Sequence, residues 1–252
     1  MLLAEIHGKR CIEAEGNEDW LTSAVFGHLR QVRDGAFWRA VFGKAQSVRE
    51  AATTLLHEIE TEHVNLQAGC EFSVSFWPSY KDYGEPDLLL RFSGIGMRSL
   101  LLIIEVKLFS YKSECGPNDQ LKRYYDLLHD KAVLGSMLDD DPVTALIYLT
   151  ERYSADELSE SVKCSDQVLA SRRMFSLQWQ DILEAAEECR PSEGSLLSEV
   201  LQFLRGRGFE RFRGFPQNGT NFETLSGHFY ASQYFHRYAQ LKAIPDGGFY
   251  GN

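Results

Sequence analysis

Apolar side chains recur along this chain in two rhythms, and the changes from one to the other mark out its elements. From Asn17, the stretch NEDWLTSAVFGHLRQV offers a capping side chain, two acids in its first turn, and Trp20, Leu21, Ala24, Val25 and Leu29 at helical spacing, which predicts a helix. Val48, Ala51, Ala52, Leu55, Leu56 and Ile59 line one side of a second amphipathic stretch. The period then shortens. Residues 70–77 (CEFSVSFW) alternate, 78–85 carry turn residues, and 87–92 (DLLLRF) read as extended; a Ser93-Gly94-Ile95-Gly96 break then precedes SLLLIIEVKLF at 99–109. Three consecutive strands are predicted. Beyond a polar loop (111–118), DQLKRYYDLLHDKAVLGSML reads as one long helix closed at 139–142, and TALIYLT (144–150) as a buried strand. A helix near 155–171, a short strand MFSLQW and helices at 179–189 and 195–205 follow.

Helix, three strands, helix, strand is the order of an α/β domain with a mixed central sheet flanked by helices. The expected division is a core domain over residues 1–190 and a C-terminal helical, aromatic-rich extension over 191–252. The last 44 residues hold 11 of the chain's 31 aromatic side chains, and RGRGFERFRGF (205–215) contributes four arginines.

Composition narrows the class. With 252 residues, 44% hydrophobic and 25% charged, the chain has the balance of a globular protein rather than a disordered or collagen-like one. The longest aliphatic run, Leu100 to Ile104, is five residues against the roughly 20 that span a bilayer, so no membrane span is expected. Glu5 and His7 interrupt the place where a secretory leader needs an apolar stretch, and a cytoplasmic protein is expected. Cys11, Cys70, Cys115, Cys164 and Cys189 are scattered, with no C-x-x-C pair, which suits reduced thiols and offers no zinc-finger ligands. The formal charge of −10 is regional: residues 139–199 carry 14 acids and 5 bases, whereas 200–252 carry 3 and 6. Attraction to phosphate depends on the local field, so an acidic chain can still present a basic groove.

The chemistry concentrates where an apolar strand ends in Glu105-Val106-Lys107. Alternation on a strand sends Glu105 and Lys107 to one face and Val106 to the other. Gly84-Glu85-Pro86-Asp87 ends a turn and opens the preceding strand, which brings Asp87 beside Glu105. Two adjacent carboxylates repel, and a hard divalent cation keeps both ionised. Gln120 and Tyr124, four apart, share a face of the helix that follows.

These residues resemble the PD-(D/E)XK nuclease superfamily, restriction-endonuclease-like in fold (αβββαβ). Pro86-Asp87 and Glu105-Val106-Lys107 are separated by 17 residues. Gly84 to Asp87 and the Gln120–Tyr124 pair match the G-x-x-D and Q-x-x-x-Y elements of the RecB-like branch. The resemblance covers about residues 17–150. It implies a Mg²⁺- or Mn²⁺-dependent phosphodiesterase acting on DNA in preference to RNA, in prokaryotic genome defence, antiviral defence included, or in repair. Asp87, Glu105, the Val106 carbonyl and Glu18 would hold metal, Lys107 would orient water or steady the transition state, and Gln120 and Tyr124 would position substrate or water. Two alternatives remain open: a catalytically silent binding or scaffold subunit, and a nuclease subunit that docks a protein partner through acidic residues 139–199. Self-association is also open.

Other features carry less. His57 and His63 in HEIETEH are six apart and face different directions on a helix, so a zinc-protease pair is not formed. There is no G-x-S-x-G and no G-x-x-x-x-G-K. Lys112, Lys122 and Arg123 near the acids, and Arg205, Arg207, Arg211 and Arg213 among phenylalanines, are candidates for backbone contact and base stacking; the alternative is that the phenylalanines join the core while the arginines are solvated.

Overall fold

The computed structural model describes residues 17–48, 53–66, 70–94, 96–108, 110, 112, 116–135, 141–152, 154–165, 167–189, 191 and 195–210. Helix α1 (Glu18–Leu29) starts where Asn17 accepts a hydrogen bond from the Trp20 N–H at 3.0 Å. Helix α2 (Gly35–Lys44) is capped by Asp34, and α3 (Leu55–Thr61) by Thr54. The sequence reading does not contain α2. Its glycines and aromatics give low helix propensity, and it is held instead by burial of Phe37, Trp38, Val41 and Phe42.

Six strands form one mixed sheet: β1 (Gln46–Ser47), β2 (Glu71–Phe76), β3 (Leu88–Ser93), β4 (Leu100–Lys107), β5 (Val143–Thr150) and β6 (Met174–Gln178), in the order β1-β6-β5-β4-β3-β2. Strands β2, β3 and β4 are antiparallel neighbours, β4, β5 and β6 are parallel, and β1 pairs antiparallel to β6. All eight residues of β4 and of β5 are buried, which is why both read as continuous apolar runs.

Helices cover both faces. Leu100, Leu102, Ile104 and Val106 belong to a core with side chains of α1, α2, α3, α8 (Trp179–Glu188) and α9 (Leu196–Gly206). Leu101 and Ile103 belong to the core on the other face, with α4 (Gln120–His129), α5 (Lys131–Leu134), α6 (Ala155–Lys163) and α7 (Gln167–Arg173). The long helix expected after residue 118 breaks at Asp130, whose carboxylate accepts from the Ala132 and Val133 N–H groups and from the Tyr83 hydroxyl at 2.7 Å. A side chain that caps a new helix and anchors a turn outcompetes continuation of the old one. The helix expected near 155–171 is likewise two, α6 and α7.

From the expected C-terminal extension, α9 packs Leu197, Val200, Leu201 and Leu204 into the same core as α1, and Phe209 lies 5.9 Å from Trp179, ring to ring. Arg211 and Arg213 lie outside the described residues. No helix among the described residues is long and apolar enough to cross a membrane.

Candidate active site

The carboxyl end of β4 brings the candidate residues together. Leu88 pairs with Ile104, so Asp87 stands next to Glu105 across the antiparallel pair, on the α4 side of the sheet. The turn that delivers it needs Gly84, at φ +97°, and closes by a Tyr80–Gly84 bridge. Asp87 Oδ2 accepts the Val106 N–H at 2.8 Å. Lys107 Nζ donates to Glu105 Oε1 at 2.6 Å, to the Val106 carbonyl at 2.9 Å and to Glu18 Oε1 at 3.3 Å. Glu18 reaches the strand end from the first turn of α1, and its second oxygen accepts the Leu108 N–H at 2.9 Å.

Helix α4 supplies the remaining contacts. Gln120 Nε2 donates to Glu105 Oε1 at 2.8 Å and to the Tyr124 hydroxyl at 3.2 Å, and Tyr124 donates to the Glu85 carbonyl at 3.0 Å. The glutamine-tyrosine pair therefore ties the Asp87 turn to the Glu105 strand. Asp87, Glu105, Lys107, Gln120, Tyr124, Val106 and Glu18, all expected from the sequence, meet in one cluster.

The cluster is tight: Asp87 is 8% exposed, Glu105 2% and Lys107 8%. Burial pushes the Asp87 carboxyl up to about 6, with Glu18 and Asp19 acting in the same direction and the Val106 N–H and Lys107 against it. Burial and the Asp87 charge hold Glu105 well above the usual carboxylate range despite Lys107. Burial alone would lower Lys107, but Glu105, Glu18 and Asp87 outweigh it and hold the ammonium above its ordinary value. Burial, then Glu105, raise the Tyr124 phenol, which stays a donor.

One atom is left over. Glu105 Oε2 is buried and has no hydrogen-bond partner among the described residues. That oxygen, the Asp87 carboxylate, the Val106 carbonyl and Glu18 are the hard donors a divalent cation such as Mg²⁺ takes. As arranged, Lys107 stands between Glu105 and Glu18, and no group of three or more His, Cys, Asp or Glu side chains among the described residues forms a ready metal cage. Two cavities, of about 330 and 230 Å³, open elsewhere on the sheet, beside Arg33, Glu71 and Arg91 and beside Lys44, Ser176 and Asp181.

The basic candidates fare differently. Lys112 is not presented to solvent: its ammonium is buried 2.6 Å from Asp119 Oδ2, because the charge of that buried aspartate needs a partner. The expectation of a phosphate contact there is corrected. Lys122 pairs with Asp126, and Arg123 donates to the Asn118 carbonyl at 3.2 Å. Arg205 pairs with Glu187 and Glu210, and the Arg207 guanidinium lies 4.2 Å above the Trp20 ring, two residues from Glu18. Several acids of 139–199 are engaged within the molecule, Glu184 and Glu188 with Lys44 and Glu157 with Tyr148.

Sequence reasoning missed Asp119, Ser161, Glu157 and Tyr148. The available signals were Asp119 at the cap position directly before Gln120, and the rows of β4 and β5 that set Tyr148 beside Glu105. No protein-family model, curated protein or solved structure matches the chain.

Proposed function

We propose that this protein is a metal-dependent nuclease of the PD-(D/E)XK type, restriction-endonuclease-like in its core, hydrolysing phosphodiester bonds of DNA. One observation carries the reading: Asp87, Glu105 and Lys107 converge at one strand end with a buried Glu105 oxygen that has no hydrogen-bond partner among the described residues. A bound Mg²⁺ or Mn²⁺ would supply Lewis acidity, lowering the pKa of water and offsetting phosphate charge. Asp87, Glu105, the Val106 carbonyl and Glu18 would hold it. Lys107, kept protonated by its acidic neighbours, would release Glu105 and turn its ammonium to the scissile phosphate. Gln120 would keep Glu105 from rotating, with Tyr124 fixing Gln120 in turn.

The test is incubation of purified protein with supercoiled and linear duplex DNA, single-stranded DNA and RNA, with Mg²⁺, Mn²⁺ or chelator. Asp87→Ala and Lys107→Ala serve as controls. Metal-dependent cutting lost in both variants is the expected result. A silent binding subunit is the second reading, favoured by the tight packing of the acids around Lys107. Binding without cutting, unchanged in both variants, would establish it in place of the nuclease.

A further inference from the structure

A second buried ion pair lies at the start of α4, and nothing in the reading above uses it. Lys112 Nζ is 2.6 Å from Asp119 Oδ2, with side chains 2% and 0% exposed. The ammonium also donates to the Glu157 carbonyl and to Ser161 Oγ, each at 3.0 Å, and Ser161 Oγ donates to the same Asp119 oxygen at 3.0 Å. The other Asp119 oxygen caps α4, accepting the Lys122 N–H at 3.0 Å. Glu157 Oε2 takes the Lys112 N–H at 3.0 Å and the Tyr148 hydroxyl at 2.8 Å. Tyr148 stands beside Glu105 in the parallel register. The network thus leaves β5 near Glu105, runs through α6, and ends on the residue directly before Gln120.

A helix cap alone does not need this. A neutral Asn or Ser caps as well, and burying two charges is penalised by desolvation that a neutral pair avoids. What an ion pair with several hydrogen bonds adds is a fixed position. Gln120 benefits, because its amide must sit on Glu105 Oε1 at 2.8 Å for Glu105 Oε2 to keep its direction.

We propose that Lys112 and Asp119 are positioning residues: their buried pair locks the first turn of α4, holds Gln120 on Glu105, and so aims Glu105 Oε2 at the metal position. The metal half of this statement rests on the nuclease reading; the Gln120 half does not.

The experiment uses the full chain carrying Lys112→Met with Asp119→Asn, which removes both buried charges, leaves Glu160, 3.5 Å from the ammonium and 60% exposed, to solvent, and keeps an oxygen for the Lys122 N–H. The Gln120 side-chain amide is identified in ¹⁵N-labelled protein by its loss in Gln120→Ala. In the double variant that resonance shifts or broadens, and Mn²⁺ affinity measured by calorimetry falls about tenfold or more, the range for partners that orient a ligand. The same pair of substitutions made in Gln120→Ala weakens Mn²⁺ no further, since the three side chains act in series. Should the double variant not fold, Ser161→Ala withdraws one donor from Asp119 and moves the same resonance less. An unmoved Gln120 amide in a folded variant overturns the inference, as does an equal Mn²⁺ loss with and without Gln120. If the wild-type chain neither binds Mn²⁺ nor cuts DNA, the nuclease reading and the metal half fail together. The amide resonance then decides the positioning role separately: moved, the role stands; unmoved, it falls.

Discussion

Replacing Asp87 by Asn changes the charge of the site and little of its shape. Asp87 is buried, and its carboxyl is pushed up from 3.8 to about 6, mainly by that burial. A group that holds its proton more tightly folded than unfolded stabilises the fold fully below the unfolded value and loses that contribution as pH rises through the folded one. At about 1.4 kcal/mol per tenfold change, ionised Asp87 therefore weakens the metal-free protein by about 3 kcal/mol at pH 8 relative to its protonated form. Asn keeps an oxygen for the Val106 N–H, and the extra strength of a charged acceptor that it forgoes is already contained in the net shift. Asp87→Asn, which stands in for the neutral form, should then be about 3 kcal/mol more stable than wild type at pH 8 in chelator, and close to it at pH 4. Glu105 adds to the difference with the same sign, since loss of the Asp87 charge also eases its ionisation. Urea unfolding of both proteins at the two pH values measures this, and the comparison cancels every other titrating group that Asp87 does not touch. With Mg²⁺ at about 100 times its Kd, wild type should gain about 2.7 kcal/mol at pH 8 and the variant far less. A wild-type-to-variant difference that is the same at pH 4 and pH 8 would refute the assignment of a raised, destabilising ionisation to Asp87.

Other substitutions probe separate parts of the site. Lys107→Met strands Glu105 and Glu18 without their ammonium; it should abolish cutting and destabilise the metal-free fold by about 3–5 kcal/mol in urea titrations at pH 8. Gly84→Ala forces a Cβ onto φ +97° with no clash against Tyr124, whose ring would be 3.8 Å away, so its cost of about 1–2 kcal/mol should appear in thermal unfolding as backbone strain alone. Arg205→Ala breaks exposed pairs with Glu187 and Glu210; stability should move by less than about 1 kcal/mol, while DNA affinity, if this arginine meets phosphate, should fall uniformly across sequences with a shallower salt slope. Gln120→Ala removes a donor to a buried carboxylate, so it should lower the melting temperature by several degrees and, on the nuclease reading, lower metal-dependent cutting about 10- to 100-fold.

What could be read in advance divides along physical lines. Strands β2 to β5 are legible because alternation or an unbroken apolar run follows directly from which faces are covered. The meeting of Asp87, Glu105 and Lys107 is legible because strand geometry fixes side-chain direction two residues apart. Helix α2 is not, since its glycines argue locally against a helix and only burial of Phe37 and Phe42 overrules them. Lys112 reads as a surface lysine because its counter-charge, Asp119, is supplied by the fold, together with Ser161 from a helix 49 residues further on. Asp130 looks like one more polar position on a long helix until Tyr83, from a distant turn, is placed against it.

The β3–β4 hairpin carries Asp87 and Glu105 at its open end, the farthest point from the connection that joins the two strands. Their alignment thus depends on the whole ladder pairing in step, and a shift of a single position would swing Asp87 to the opposite side and pull leucines out of both layers. A molecule that mispairs here exposes leucines and loses the cluster as a whole, so misfolded copies carry no partial version of the site.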